Sequence, residues 1–166
     1  MILIAIIHND LSGADSVTER AAKRSKALTN PLASHAGFHL RRVSSVIMAD
    51  LAQRLSEIEL RPSEASALLL IEANPGITQS KVARELGIQR ANMAPLVAKL
   101  SERRLIVGAP VDGRSIGFRL TAAGQSLTAQ ARGRMEEHDA RFTAHLSAEE
   151  RRGLIAQLAA ISEAAG

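Results

Sequence analysis

The sequence predicts a mainly α-helical fold that carries one small β-hairpin. The 166 residues are 46% hydrophobic but only 2% aromatic, and Ala and Leu dominate. This composition favours helices, because strands prefer aromatic and β-branched side chains. Apolar residues also recur at three- and four-residue spacing in several segments, which is the period of an amphipathic helix. A chain of this length can form one domain with a normal core.

Residues 1–29 are predicted to form an N-terminal extension to a single domain over residues 30–166. The polar stretch Asp10–Lys26 is interpreted either as a flexible arm or as part of a short helix over Ser16–Leu28. The apolar run Met1–Ile7 is too short to span a bilayer, and it lacks the basic flank and the cleavage site of a signal peptide. We therefore expect a cytoplasmic protein with no membrane partner.

Two helices are predicted next. Asn30–Pro31 is a helix-start signal, since Asn caps helices and Pro is tolerated at the first helical position, so the first helix is predicted over about 31–58. Pro62 begins a second helix, which ends at the breaker Asn74–Gly76. The apolar stripe of the first helix consists of Leu40, Val43, Ile47, Leu51, Leu55 and Ile58.

A short third helix and a fourth helix form a helix-turn-helix. Thr78 is predicted to cap the third helix, and Gly87 is predicted to end it in the left-handed conformation. The fourth helix is predicted over about 89–104. The apolar residues that hold the pair together are Val82, Leu86, Ile88, Leu96, Val97 and Leu100.

The C-terminal part of the chain predicts a β-hairpin followed by two helices. Leu105–Val107 and Gly117–Leu120 read as short strands, and the segment between them is rich in turn residues. Thr121 is predicted to cap a long fifth helix, which carries the stripe Leu127, Ala131, Met135, His138 and Phe142. Ser147–Glu150 matches a capping box and begins the last helix.

The helix-turn-helix points to DNA. In this motif the second helix enters the major groove with its N-terminal residues facing the base edges. Arg can form two hydrogen bonds with the edge of guanine, and Asn or Gln can form two with the edge of adenine. The predicted base-reading residues are Gln89, Arg90, Asn92 and Met93. The alternative, a helical hairpin with no ligand, stays open on this observation alone.

The charge distribution and the hairpin tip agree with a polyanion as ligand. Gly76–Leu120 contains eight Lys or Arg and three acidic residues, a net +5, whereas the whole chain carries +4. Such a segment is expected of a DNA binder, although an ordinary solvated basic face is the alternative. Arg114 at the tip is predicted to enter the minor groove. The candidates for phosphate contact are Gln79, Ser80, Lys81, Arg84, Lys99, Arg103 and Arg104.

Residues 38–162 resemble the MarR family of bacterial transcriptional regulators. The resemblance is carried by the helix-turn-helix, by the exit from its second helix over Leu100–Ile106, by Asp112 and Arg114 at the hairpin tip, and by Leu120–Gly124 at the start of the fifth helix. It is fairly specific as a combination, although each motif alone is weak.

The resemblance implies a winged helix-turn-helix over about 60–120, with dimerisation helices over about 31–58 and 121–164. It implies a homodimer that binds double-stranded DNA at a pseudo-palindromic operator and releases it when a small-molecule effector binds. The function expected is therefore that of a sequence-specific regulator, most simply a repressor. The alternatives are a helical protein–protein interaction module and a metal or ligand sensor that does not bind DNA.

Two positions depart from the family pattern. Ser115 stands where the family often has a second carboxylate, which puts the detailed wing geometry in doubt. Pro95 lies inside the fourth helix, where it removes a hydrogen bond to the carbonyl of Ala91. We expect a kink or a loosened first turn that changes the direction of Arg90 and Asn92.

Other site classes are weakly supported. The candidate effector-pocket residues are His35, Phe38, His39 and Arg42. His138 and His145 share a helix face, as do His35 and His39, but ordinary surface or dimer-interface histidines are the favoured interpretation, so no metal and no cofactor are predicted. The chain has no cysteine, and it lacks the phosphate-loop, zinc-protease and nucleophile-elbow motifs. We therefore do not expect an enzyme.

Overall fold

A computed structural model of the protein describes residues 29–111, 113 and 115–165. The predicted arm or short helix within Asp10–Lys26 and Ser16–Leu28 lies outside these residues. Contacts divide the chain inside its first long helix, into residues 1–41 and residues 42–166, and the two units are described separately. No helix of the described part is long and apolar enough to cross a membrane.

The first described element is shorter than predicted. Asn30 caps a 3-10 helix over Pro31–Ser34, since its Oδ1 accepts a hydrogen bond of 3.0 Å from the backbone N of Leu32. His35 is then extended, so the helix predicted over 31–58 is divided into a 3-10 turn and a later α-helix. Side-chain capping of a single turn does not determine whether the next turn continues it.

The described residues contain six α-helices and three β-strands. The helices are α1 (Ala36–Ser56), α2 (Pro62–Ala73), α3 (Gln79–Glu85), α4 (Arg90–Glu102), α5 (Ala122–Thr143) and α6 (Ala148–Ala165). The strands are β1 (Ile77–Thr78), β2 (Ile106–Pro110) and β3 (Ile116–Leu120). This confirms the predicted mainly α fold with a β-hairpin wing.

The local signals that end and begin the helices act largely as predicted. Gly87 ends α3 with a φ of 61°, in the left-handed region that glycine favours. Thr121 caps α5 through a hydrogen bond of 3.0 Å from the Gly124 amide to its Oγ1. Ser147 and Glu150 form the predicted capping box. Thr78 is the N-cap of α3, but its side chain makes no capping hydrogen bond.

The sheet is antiparallel, with the strand order β1-β3-β2. Ile106 pairs with Leu120 at its base, and Pro110 pairs with Ile116 near its tip. The third strand, β1, was not predicted, because two residues are too few to show an alternating pattern. It joins the wing to the helix-turn-helix through the pairing of Ile77 with Phe118.

The core lies where α2, α3, α4, the base of the wing and the C-terminal half of α1 meet. Its fully or nearly fully buried large residues include Leu55, Leu68, Ile71, Val82, Met93, Leu100 and Phe118. Of the predicted α1 stripe, Leu51 and Leu55 are buried, whereas Leu40 and Val43 are exposed in the single chain. The N-terminal part of that stripe therefore remains uncovered.

The C-terminal half of α1 is fastened to α5 by polar contacts. Asp50 accepts hydrogen bonds of 2.7 Å from Arg54 and from Arg141. The buried His138 has its Nε2 3.0 Å from the carbonyl oxygen of Ile47, and since a carbonyl only accepts, this nitrogen donates. His138, which was expected to be an ordinary surface or dimer-interface residue, is instead buried within one chain and joins α1 to α5.

Candidate nucleic-acid interface

The helix-turn-helix presents one face of α4 to solvent. Met93, Leu96 and Leu100 of α4 are buried, and Val82 of α3 is buried with them. These contacts fix the two helices to each other and leave the opposite face of α4 exposed. An exposed helix that follows a tight turn has the geometry required to enter a major groove, which is wide enough for an α-helix.

Three of the four predicted base-reading residues lie at the exposed N-terminus of α4. Gln89 is the N-cap, and Arg90 and Asn92 are exposed in the first turn. Met93 is fully buried in the core, so its assignment as a base-reading residue was wrong. Met93 comes directly after the polar residues Gln89, Arg90 and Asn92, so the sequence suggested that it shares their surface. The rotation of the helix instead points its side chain toward α3.

A cleft of about 800 Å³ separates the N-termini of α3 and α4 from the wing. We call it the wing cleft. Its helical side contains Gln79, Ser80, Lys81 and Arg90, and Val111, Ser115 and Ile116 belong to its wing side. Four residues predicted to contact DNA therefore border one opening. The polar and basic side chains on the helical side of the cleft suit a phosphate backbone.

A second groove, of about 700 Å³, lies on the other flank of α4. We call it the α2 groove. Gln89, Asn92, Pro95 and Lys99 line it from the helix-turn-helix, and Glu64 lines it from α2. The exposed face of α4 thus lies between two concave surfaces.

Two of the predicted phosphate-contact residues hold α4 to the rest of the fold. The Lys99 Nζ lies 2.6 Å from Oε1 of Glu64, whose side chain is only 4% exposed. Arg103 donates a hydrogen bond of 2.7 Å to the Glu59 carbonyl and lies 3.9 Å from Glu64. A buried carboxylate requires such partners.

Sequence reasoning missed Glu64 as an anchor. The residue lies at the third position of α2, and its Oε2 accepts a hydrogen bond of 3.0 Å from the Arg61 backbone N. That pattern predicts an ordinary helix cap. Burial of the carboxylate beneath Lys99 depends on α4, so no local signal indicated it.

The other predicted DNA contacts are more scattered. Arg84 is exposed in the last turn of α3. Arg104 follows α4 with a φ of 54°, and its carbonyl accepts a hydrogen bond of 2.7 Å from Thr121. Neither is part of the lining of the wing cleft. Asp112 and the predicted minor-groove residue Arg114 lie outside the described residues.

Pro95 does not interrupt α4, which runs from Arg90 to Glu102. Its first turn contains a short-range hydrogen bond of 2.9 Å from the Asn92 amide to the Gln89 carbonyl. Because proline has no amide hydrogen, the Ala91 carbonyl lacks its ordinary helical donor. The predicted change in direction of Arg90 and Asn92 stays a prediction.

The predicted effector residues fall in both units of the chain. Phe38 and His39 meet edge to face, with 5.4 Å between ring centroids, and His39 Nε2 lies 2.8 Å from the Ala33 carbonyl. His35 is exposed. Arg42 belongs to the second unit, and the effector pocket stays a prediction. Across the described residues, no three His, Asp or Glu side chains are grouped as metal ligands.

Comparison with known proteins gives consistent matches. The MarR family model matches residues 59–115. A transcriptional regulatory protein for the hcr operon of Thauera aromatica is 32% identical over 130 residues, which cover 76% of this chain and 78% of that protein. The transcriptional repressor CouR, solved with a 23-mer DNA duplex, is 32% identical with a TM-score of 0.76 over 83% of this chain and 99% of CouR. CouR bound to p-coumaroyl-CoA is 30% identical, with a TM-score of 0.73 over 82% and 98% of the two chains.

Proposed function

This chain belongs to the MarR family, and from that premise we propose that it is a dimeric, sequence-specific DNA-binding repressor controlled by a small molecule. One observation carries the proposal. Gln89, Arg90 and Asn92 are exposed together at the start of α4, beside a cleft lined by Lys81 and by the wing. Such a surface can read bases with a helix while it holds the backbone nearby. This role needs no catalysis and belongs in the bacterial cytoplasm, where the chromosome lies.

The proposed contacts divide by chemistry. Arg90 suits a guanine edge, and Gln89 and Asn92 suit adenine edges. The DNA backbone would enter the wing cleft, where Lys81 supplies charge and Gln79 and Ser80 supply polar groups. Backbone contacts of this kind set the register and make affinity depend on salt.

The exposed apolar residues of α6 support a homodimer. Leu154, Ile155, Leu158 and Ile161 are between 42% and 58% exposed, and their spacing places them along one side of the helix. A contiguous apolar stripe of this kind marks an interface. A second copy of the chain is the partner that would place two recognition helices on a pseudo-palindrome.

Selection of bound duplexes from a random pool tests the proposal, with the affinity of the winner then titrated against salt. We expect a pseudo-palindrome with half-sites about ten base pairs apart. The logarithm of the affinity should fall steeply with the logarithm of salt concentration, by about 0.9 per neutralised phosphate. Equal, weak binding to every duplex would instead favour the protein–protein interaction module.

The effector is proposed to be a small aromatic compound or its coenzyme A thioester. CouR, a structural relative, is solved with p-coumaroyl-CoA, and His35, Phe38, His39 and Arg42 supply aromatic and cationic groups on this chain. A ligand releases DNA only when it binds the DNA-incompetent state more tightly. Titration of the protein–operator complex with p-coumaroyl-CoA should lower the fraction bound, and an unchanged fraction would remove this compound as the effector.

A further inference from the structure

The centre of the exposed face of α4 is made of small apolar residues. Ala91, Ala94, Pro95 and Ala98 are all exposed. Their spacing of three, four and seven residues places them on one side of the helix, opposite the buried Met93, Leu96 and Leu100. Between Ala91 and Ala98, therefore, no side chain on this side of α4 can donate or accept a hydrogen bond, and the exposed Glu102 follows at the C-terminal end of the helix. We call these four residues the alanine strip.

Polar and charged side chains flank the alanine strip. Arg90 borders the wing cleft on one side, and Asn92 and Lys99 line the α2 groove on the other. A protein partner with an apolar surface would have to lie against these polar side chains, of which Arg90 and Lys99 are cations and Lys99 already pairs with Glu64. The floor of a major groove between two phosphate rows fits the arrangement better, because the rows are negative and the base edges lie between them.

We infer that the alanine strip recognises the 5-methyl groups of thymines in the operator half-site. The inference rests on the proposed function, since it assumes that α4 enters the major groove. The thymine methyl is the apolar group that a base pair presents there, and alanine is among the side chains that contact it. The flanking Arg90 and Asn92 would then read the base pairs on either side by hydrogen bonds.

The strip also selects against other bases. A guanine or cytosine edge placed beneath Ala94 or Pro95 would lose water from its donors and acceptors and find no partner, which costs free energy. A thymine methyl at the same place buries apolar surface instead. Small side chains further let the helix lie close to the base edges. The half-site is therefore expected to contain thymines beneath the middle of α4.

Uracil substitution tests the inference, because it removes only the methyl group. The operator obtained from the random pool is synthesised as a set of duplexes, in each of which one thymine is replaced by deoxyuridine. Within the base pairs that α4 covers, we expect at least one change per half-site to weaken binding about fourfold, the value for one buried methyl. Deoxyuridine outside the half-sites should leave the affinity unchanged.

Two variants locate the effect on the protein. Ala94→Gln replaces apolar surface by a group that can hydrogen-bond, so the difference in affinity between the thymine and the deoxyuridine operators should shrink. Ala129→Gln changes an alanine that is exposed on α5, and it should retain the full distinction. Circular dichroism confirms that both variants are folded.

The outcomes separate this inference from the proposed function. Tight, salt-sensitive operator binding that no deoxyuridine weakens would overturn the alanine-strip inference and leave the repressor intact. A thymine effect that survives both Ala94→Gln and the same change at Ala91 and Ala98 would also overturn it, because the methyl would then contact another part of the protein. Failure to enrich any operator would overturn both.

Discussion

At the scale of single residues, Glu64 and Lys99 decide how the recognition helix is held. The Glu64 carboxylate is almost completely buried, and Lys99 is its nearest cation, whereas the Lys99 side chain itself is 43% exposed. Removing Lys99 should therefore lower the free energy of unfolding by more than removing one partner of an exposed surface ion pair would. Lys99 thus has a structural partner in the free chain. Lys81, which lines the wing cleft and is proposed to contact phosphate, is the lysine to compare it with.

Replacing Lys99 by Met should lower stability without lowering the salt dependence of DNA binding. Loss of the partner of a buried carboxylate should reduce the free energy of unfolding by roughly 1–3 kcal/mol. Lys81→Met should do the reverse: the log–log salt slope should fall by about 0.9 for each lost phosphate contact, with little change in stability. Urea denaturation and salt titration of operator binding measure the two quantities. Equal loss of slope in both variants would show that Lys99 contacts phosphate.

At the scale of the elements, two junctions hold the long helix α5: one connects it to the exit of α4, and the other connects it to α1. At the first, the start of α5 packs against the exit of α4: the Thr121 amide donates to the Leu105 carbonyl at 3.0 Å, and a Cβ on Gly124 would overlap that carbonyl oxygen. At the second, Asp50 joins α1 to α5. Backbone atoms form the first junction, whereas partly exposed side chains form the second.

Gly124→Ala should destabilise the protein even though alanine favours helices. The added Cβ meets backbone that cannot move aside, and overpacking of this kind costs roughly 1–3 kcal/mol. Gly133→Ala on the same helix is the matched control, since nothing lies within 4 Å of its added Cβ. The control should gain up to about 1 kcal/mol from helix propensity. Denaturant unfolding of both variants measures the difference, and the same sign of change in both would contradict the packing argument.

The Asp50 junction should make stability depend on acid. The hydrogen bond from Arg54, together with Arg141, holds the pKa of Asp50 below its ordinary value. The contribution of Asp50 is then fully present above the unfolded value of about 3.9 and is lost as the pH falls through the lower, folded value. The difference in unfolding free energy between the wild type and Asp50→Asn should therefore shrink as the pH falls from about 7 to about 3. A difference that stays constant over this range would contradict the assignment.

At the scale of the whole molecule, α6 is the helix whose apolar side chains are buried least within one chain. Residues 148–164 of this helix are all exposed, including four large apolar ones. The uncovered N-terminal part of the α1 stripe adds to the apolar surface. We propose that a second copy of the chain covers the apolar residues of α6, because a homodimer interface can bury apolar surface that a single core leaves exposed.

Charges placed in the α6 stripe should separate the dimer. The double variant Ile155→Glu with Leu158→Glu puts two carboxylates into the apolar stripe, so analytical ultracentrifugation should show monomers and the affinity for a two-half-site operator should collapse. Ala156→Glu places a charge on the opposite side of the same helix, and it should remain a dimer. If the double variant stays dimeric and binds DNA, α6 is not the main interface.

The sequence alone determined the helical class, the recognition helix and most of the helix ends, since caps at Thr121 and Ser147 and the left-handed Gly87 act within a few neighbouring residues. The tertiary structure decided which side chains of that helix are exposed and which face the core. Met93 is buried because α3 packs against it, and Lys99 is paired because α2 places a carboxylate beneath it. Burial and pairing depend on segments far apart in the chain, and local patterns carry little information about them.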